Sequence, residues 1–132
     1  MNMRSRQEGV TVILELEGLL DFETTVQFKN YCHSLLKKTG SQRVVFNMDR
    51  LKFVGSSGIN QFIRILKEFN TYQEKPRYCK LAIEFLRVFR AYETARNPFE
   101  IHEDEATAIL SFDIVPEVLP KRAPRKQKMP TL

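Results

Sequence analysis

Two adjacent serines set between two glycines, Gly55-Ser56-Ser57-Gly58, are the residues of this chain best placed for chemistry. They stand directly before Ile59, Phe62, Ile63, Leu66 and Phe69, whose offsets of 0, 3, 4, 7 and 10 predict an amphipathic helix. The turn therefore opens a helix. Free backbone N–H groups and a positive partial charge at a helix start favour a phosphate there. The flanking glycines permit a tight bend that leaves the hydroxyls accessible. Two readings stand side by side: a serine that accepts a phosphate or neighbours one, and a serine that caps the helix.

Other chemistries find less support. Neither GxxxxGK[ST] nor GxGxxG occurs, so nucleotide binding at this loop is not indicated. The serines do not sit in GxSxG, and His33 and His102 are the only histidines that could serve as a base. No pair of carboxylates has a spacing that demands acid–base work. Glu103-Asp104-Glu105 reads as a solvated charge run or a helix start. Cys32 and Cys79 form neither a CxxC pair nor a Cys/His cluster. They read as reduced, partly buried thiols, and neither a metal nor a cofactor is expected.

The elements that must position the loop follow from hydrophobic periodicity. Residues 10–16 alternate with period two and predict a strand, ended by Gly18. Residues 4–8 are a candidate edge strand in front of it. Asp21 stands at the start of a helix in which Phe22, Val26, Phe28, Cys32, Leu35 and Leu36 have helical spacing up to Gly40. Residues 43–48 are short and almost continuously apolar, the pattern of a central strand buried on both faces. Residues 49–54 read as a connection to the serine loop. Beyond the second helix, residues 78–83 read as a strand. Phe85, Val88, Phe89 and Tyr92 mark a third helix, residues 99–102 a short strand, and residues 106–112 a last short helix. The alternation predicts a small α/β domain: a mixed, mainly parallel sheet of four or five strands with about four helices packed on it.

At this point the order of motifs resembles one family. The run Arg43-Val44-Val45-Phe46-Asn47-Met48-Asp49-Arg50-Leu51-Lys52-Phe53-Val54-Gly55-Ser56-Ser57-Gly58-Ile59 is similar to the STAS domain of anti-sigma factor antagonists. That family has an apolar strand, a link ending in an aromatic or aliphatic pair, and Asp-Ser-Ser-Gly-Leu opening a helix. Upstream, Leu14-Glu15-Leu16-Glu17-Gly18-Leu19-Leu20-Asp21 looks like the family's strand ending in Gly-x-Leu/Ile-Asp. The similarity spans residues 8–112. Three positions depart from it. Gly55 replaces an Asp, Asn60 stands where a small glycine is common, and Gln73-Glu74-Lys75-Pro76 replaces a glycine turn.

The resemblance implies a regulatory switch rather than an enzyme. Such domains bind an anti-sigma factor that is also a serine kinase, of the histidine-kinase-like ATPase type. The kinase phosphorylates the serine directly before the glycine, which is Ser57 here, and a phosphoserine phosphatase reverses it. The implied docking surface comprises Asp21, Gly55, Ser56, Ser57 and Gly58 with the outer face of the next helix. On that face Gln61, Arg64, Ile65 and Glu68 avoid the apolar stripe, so all four are expected to be exposed. A constitutive, unphosphorylated relative, suggested by Gly55, and a ligand-sensing relative are the alternatives within the family.

Composition frames these expectations. The 132 residues, 42% hydrophobic and 28% charged, suit one globular domain. No apolar run is long enough to span a membrane, and no apolar core of a secretory signal follows Met1-Asn2-Met3-Arg4-Ser5-Arg6. A cytoplasmic location is therefore expected. The net charge of +5 belongs to residues 120–132, which hold Lys121, Arg122, Arg125, Lys126 and Lys128 and no acid. Residues 1–112 are assigned to the domain. Residues 113–132 are assigned to a basic, Pro-rich tail, expected to be disordered and dispensable for the fold. Such a tail can give weak, sequence-blind contact with nucleic acid, but the domain carries no recognition motif for it.

Overall fold

The computed structural model of the chain describes residues 1–40, 43–53 and 58–114. The elements run β1 (Asn2–Glu8), β2 (Thr11–Leu20), α1 (Phe22–Thr39), β3 (Arg43–Phe53), α2 (Ile59–Phe69), β4 (Arg77–Cys79), α3 (Ile83–Tyr92), β5 (Glu100–His102) and α4 (Glu105–Ser111). Among the described residues the strands form a single sheet in the order β1-β2-β3-β4-β5. The β1–β2 hairpin is antiparallel, and every later pairing is parallel. The expected α/β architecture with a mainly parallel sheet is the one the chain adopts, and the candidate edge strand forms.

Period-two alternation sends each strand's side chains to two faces. Leu14 and Leu16 of β2, Val44, Phe46 and Met48 of β3 and Tyr78 of β4 join the main core. There they meet Phe28 of α1, Phe62, Leu66 and Phe69 of α2 and Phe85 and Phe89 of α3. Phe28 lies at the centre, with ring centroids 5.1 Å from Phe62 and 5.7 Å from Phe46. On the other face Ile13, Val45 and Cys79 are covered by Ala108 and Phe112 at α4. The Arg77 guanidinium lies 4.1 Å above the Phe112 ring, its Nε donating to Ser111 Oγ at 2.7 Å. Both cysteines are free and buried, one in each core. Burial pushes the Cys32 thiol up, and that of Cys79 to about 12, so neither thiolate forms near neutral pH.

Several boundaries differ from the sequence reading, each for a local reason. Strand β2 does not end at Gly18; Gly18 adopts φ +103° and the strand runs to Leu20. Residues 49–53 are strand rather than connection, because β3 continues beside β2, pairing Leu51 with Gly18 and Phe53 with Leu20. Between Glu15↔Asn47 and Glu17↔Arg50 the register shifts, so β3 carries one extra residue. That bulge lets Met48 and Leu51, three apart, both reach the core. Strand β4 is only three residues long; Lys80, at φ 59°, leaves the extended region, and Ile83 begins α3 instead of closing a strand.

Helix α1 turns a different face inward than its apolar spacing suggests. Thr25, Phe28 and Cys32 are buried, while Phe22 and Val26 are 62% and 45% exposed. Thr25 can take a core position because its hydroxyl donates to the Phe22 carbonyl at 2.7 Å.

One buried hydroxyl lacks such a solution. Tyr78 is fully buried among Phe46, Phe89 and Phe99, and its Oη has no partner among the described residues. Burial without a partner costs the hydroxyl its hydration. Tyr78→Phe keeps the ring packing and is expected to raise stability by about 1 kcal/mol. Chemical denaturation of the two proteins measures the difference; a loss of stability would show that the hydroxyl is paired.

Candidate partner-binding site

The site is built where β2 and β3 deliver their chains to α1 and α2. Asp21 caps α1: its Oδ1 accepts the Thr24 N–H at 2.9 Å, and Thr24 Oγ1 accepts the Asp21 N–H at 3.1 Å. This reciprocal box satisfies two donors at the helix start. Gly58, at φ +80°, is the N-cap of α2 and supplies no side-chain cap of its own. Its carbonyl accepts the Phe62 N–H at 2.9 Å.

The two caps touch through their backbones. A Cβ placed on Gly58 would lie 2.5 Å from the Asp21 carbonyl carbon, 2.7 Å from its oxygen and 2.9 Å from its Cα. Only glycine permits this approach, so the end of the β3–α2 loop is seated on the start of α1. Gly55, Ser56 and Ser57 lie outside the described residues.

The Asp21 carboxylate is committed to its own helix. The Thr24 backbone N–H holds its pKa below the usual 3.8, as the Thr107 N–H, at 2.8 Å, does for Asp104 at the cap of α4. A carboxyl whose pKa is depressed by folding stabilises the fold above its unfolded pKa. That contribution is lost as pH falls through the folded value. Stability is therefore expected to hold above about pH 5 and to decline below about pH 4. Asp21→Asn and Asp104→Asn should each flatten this acid limb in thermal melts across pH; an unchanged limb would show that neither cap carries it.

Along α2 the expected outer face is found in part. Arg64 is exposed and donates to Gln61 Oε1 at 3.2 Å, and Gln61 is half-buried. Glu68 is exposed and pairs with Lys29 of α1 at 3.2 Å. Ile65 is a correction: it is 1% exposed and belongs to the core. Glu68, three residues on, reaches α1, so this side of α2 lies against α1 and Ile65 fills the seam. The buried stripe of α2 is thus wider than the Ile59–Phe62–Ile63–Leu66–Phe69 series.

On either side of Asp21 in the chain, Leu19, Phe22 and Val26 are exposed apolar side chains, at 50%, 62% and 45%. Phe22 directly follows Asp21. The sequence reading placed Phe22 and Val26 in one helical spacing with Phe28, Cys32, Leu35 and Leu36; the sign that could have separated them is their offset from the Phe28–Cys32–Leu35 series. On the far side of α2, Tyr92 Oη donates to Asn60 Oδ1 at 2.6 Å and ties the helix to α3.

The starts of α1 and α2 thus meet at Gly58, beside the parallel β2–β3 pair. The STAS domain model matches residues 2–108, and the chain belongs to the STAS domain family. Solved structures share the fold. A putative anti-sigma factor antagonist from Thermotoga maritima superposes with a TM-score of 0.70 at 15% identity, over 85% of this chain and 95% of that one. The anti-sigma factor antagonist SpoIIAA in its unphosphorylated form gives 0.62 at 18% identity, over 86% of this chain and 100% of that one. The phosphorylated form of SpoIIAA from Bacillus gives 0.59 at 15% identity, over 83% and 97%. No curated protein matches the sequence. No helix among the described residues is long and apolar enough to cross a membrane.

Proposed function

We propose that the chain is a non-enzymatic, cytoplasmic switch that binds an anti-sigma factor with serine kinase activity and is controlled by phosphorylation of Ser57. The observation that carries this reading is the seat of Gly58 on the Asp21 backbone. It ties the end of the serine-bearing loop to the starts of both α1 and α2. The partner would dock on residues 55–58, beside Asp21, and on Gln61, Arg64 and Glu68 of α2. Phe22, directly after Asp21, and Val26, one turn further along α1, would supply the exposed apolar contact that buried Ile65 cannot. A phosphate on Ser57 adds a charge of about −1.5 to −2 in the middle of this surface and expels the kinase. A phosphoserine phosphatase resets the switch.

The family frame and the phosphorylated state named for the SpoIIAA structure support the reading. The test is incubation with the cognate kinase and ATP, followed by mapping of the product by mass spectrometry. Phosphate on Ser57 is expected, with Ser57→Glu weakening kinase binding at least tenfold. Phosphate on Ser56 alone would overturn the assignment. Tight binding with no phosphate would mark the constitutive form to which Gly55, standing in place of an acid, points.

A further inference from the structure

The sheet has two edges, and they differ in kind. Strand β5 is three residues long. Strand β1 is seven residues long and pairs with β2 in an unbroken register from Asn2↔Glu17 to Glu8↔Thr11. Proteins protect such an edge by shortness, proline, a bulge or charged side chains; β1, Asn2-Met3-Arg4-Ser5-Arg6-Gln7-Glu8, has no proline, lysine or bulge, and only the charges of Arg4, Arg6 and Glu8 guard it. Along its outer side a row of backbone N–H and C=O groups has no strand beside it among the described residues.

We propose that β1 is a self-association edge, and that a second copy of this chain pairs with it antiparallel about a two-fold axis through Arg6, joining two sheets into one. The charges select the partner and the register. An axis perpendicular to the sheet keeps like faces together, so the symmetric registers centre on a residue. Centring on Arg4 sets no acid against a base, and centring on Ser5 sets Arg4 against Arg6 twice. Centring on Gln7 pairs Arg6 with Glu8 but leaves only a short overlap. Centring on Arg6 overlaps residues 4–8 and sets Arg4 of each copy against Glu8 of the other, twice. The Arg6 residues that then face each other are already neutralised at home. Each guanidinium pairs with Glu15 at 3.0 Å and with Glu105 of α4, so Glu8, 2.9 Å from Arg6, can be shared with Arg4 of the other copy. Opposite charges directly across antiparallel strands stabilise the pairing and like charges oppose it.

Sedimentation of the full chain from micromolar to millimolar concentration at low salt tests the proposal. Wild type is expected to shift from monomer to dimer across that range. Arg4→Glu and Glu8→Arg should each weaken the dimer about tenfold, since two attractive pairs become repulsive. The double variant Arg4→Glu/Glu8→Arg should restore it. The double variant does not restore the pairs within one chain, Arg4 with Glu15 and Arg6 with Glu8. Rescue therefore reads the contact between copies, and circular dichroism confirms that each variant is folded. A wild type that stays monomeric at millimolar concentration, a dimer indifferent to both single changes, or a failed rescue overturns the proposal. None of these outcomes bears on Ser57.

Discussion

Gly58→Ala is expected to be the most damaging small substitution at the site, costing roughly 2–5 kcal/mol. Two penalties add. The added methyl group meets three Asp21 backbone atoms at 2.5–2.9 Å, and a backbone cannot swing aside as a side-chain tip can. The φ of +80° also becomes unfavourable once a Cβ is present. The loss is expected to lower the thermal midpoint by roughly 10 °C or more. Gly9→Ala is the control: Gly9 has a similar φ of +62°, but a Cβ there meets nothing within 4 Å. It should therefore carry only the conformational cost of about 1–2 kcal/mol. Thermal melts of the two variants compare them directly; equal losses would mean that the Asp21 contact is not what requires glycine.

Ile65→Asp is expected to unfold the domain, at a cost of at least about 4 kcal/mol. The Ile65 side chain is 1% exposed and belongs to the apolar core, where a carboxylate would lose its hydration. Such a loss is a large share of the 5–15 kcal/mol that holds a typical domain together. Phe22→Asp provides the contrast, because a 62% exposed side chain at the first turn of α1 can become an acid with little change in stability. Circular dichroism of both variants reads the outcome. A folded Ile65→Asp protein would return Ile65 to the surface; an unfolded Phe22→Asp protein would place Phe22 in the core. The surface variant also bears on function, since Phe22→Asp should weaken binding of the proposed kinase while leaving the fold intact.

Periodicity carried the architecture a long way. The alternation of residues 10–16 and the 0, 3, 4, 7, 10 series from Ile59 are local patterns, and each met the geometry it matches. The order of elements, the parallel sheet and the cap at Asp21 follow from such local signals, as does the family resemblance centred on Gly55-Ser56-Ser57-Gly58. Where the chain alone decides the outcome, as at a helix cap or a turn glycine, the residue type names the conformation.

What neighbours decide was not legible there. Whether Ile65 is covered depends on where α1 lies, and no spacing within α2 records that. Phe22 and Val26 are as apolar as Phe28, yet their exposure is set by the rotation of α1 on the sheet. The bulge between Asn47 and Arg50 inverts the facing of β3 and so decides that Leu51, not Arg50, enters the core. The need for glycine at 58 arises from the backbone of residue 21, distant in sequence and in van der Waals contact in space. Which elements form, and in what order, was readable from the residues alone, because both depend on short-range periodicity and chain stiffness. Which apolar residues are core and which are surface emerged with the packed fold, because burial is a property of the elements lying on either side.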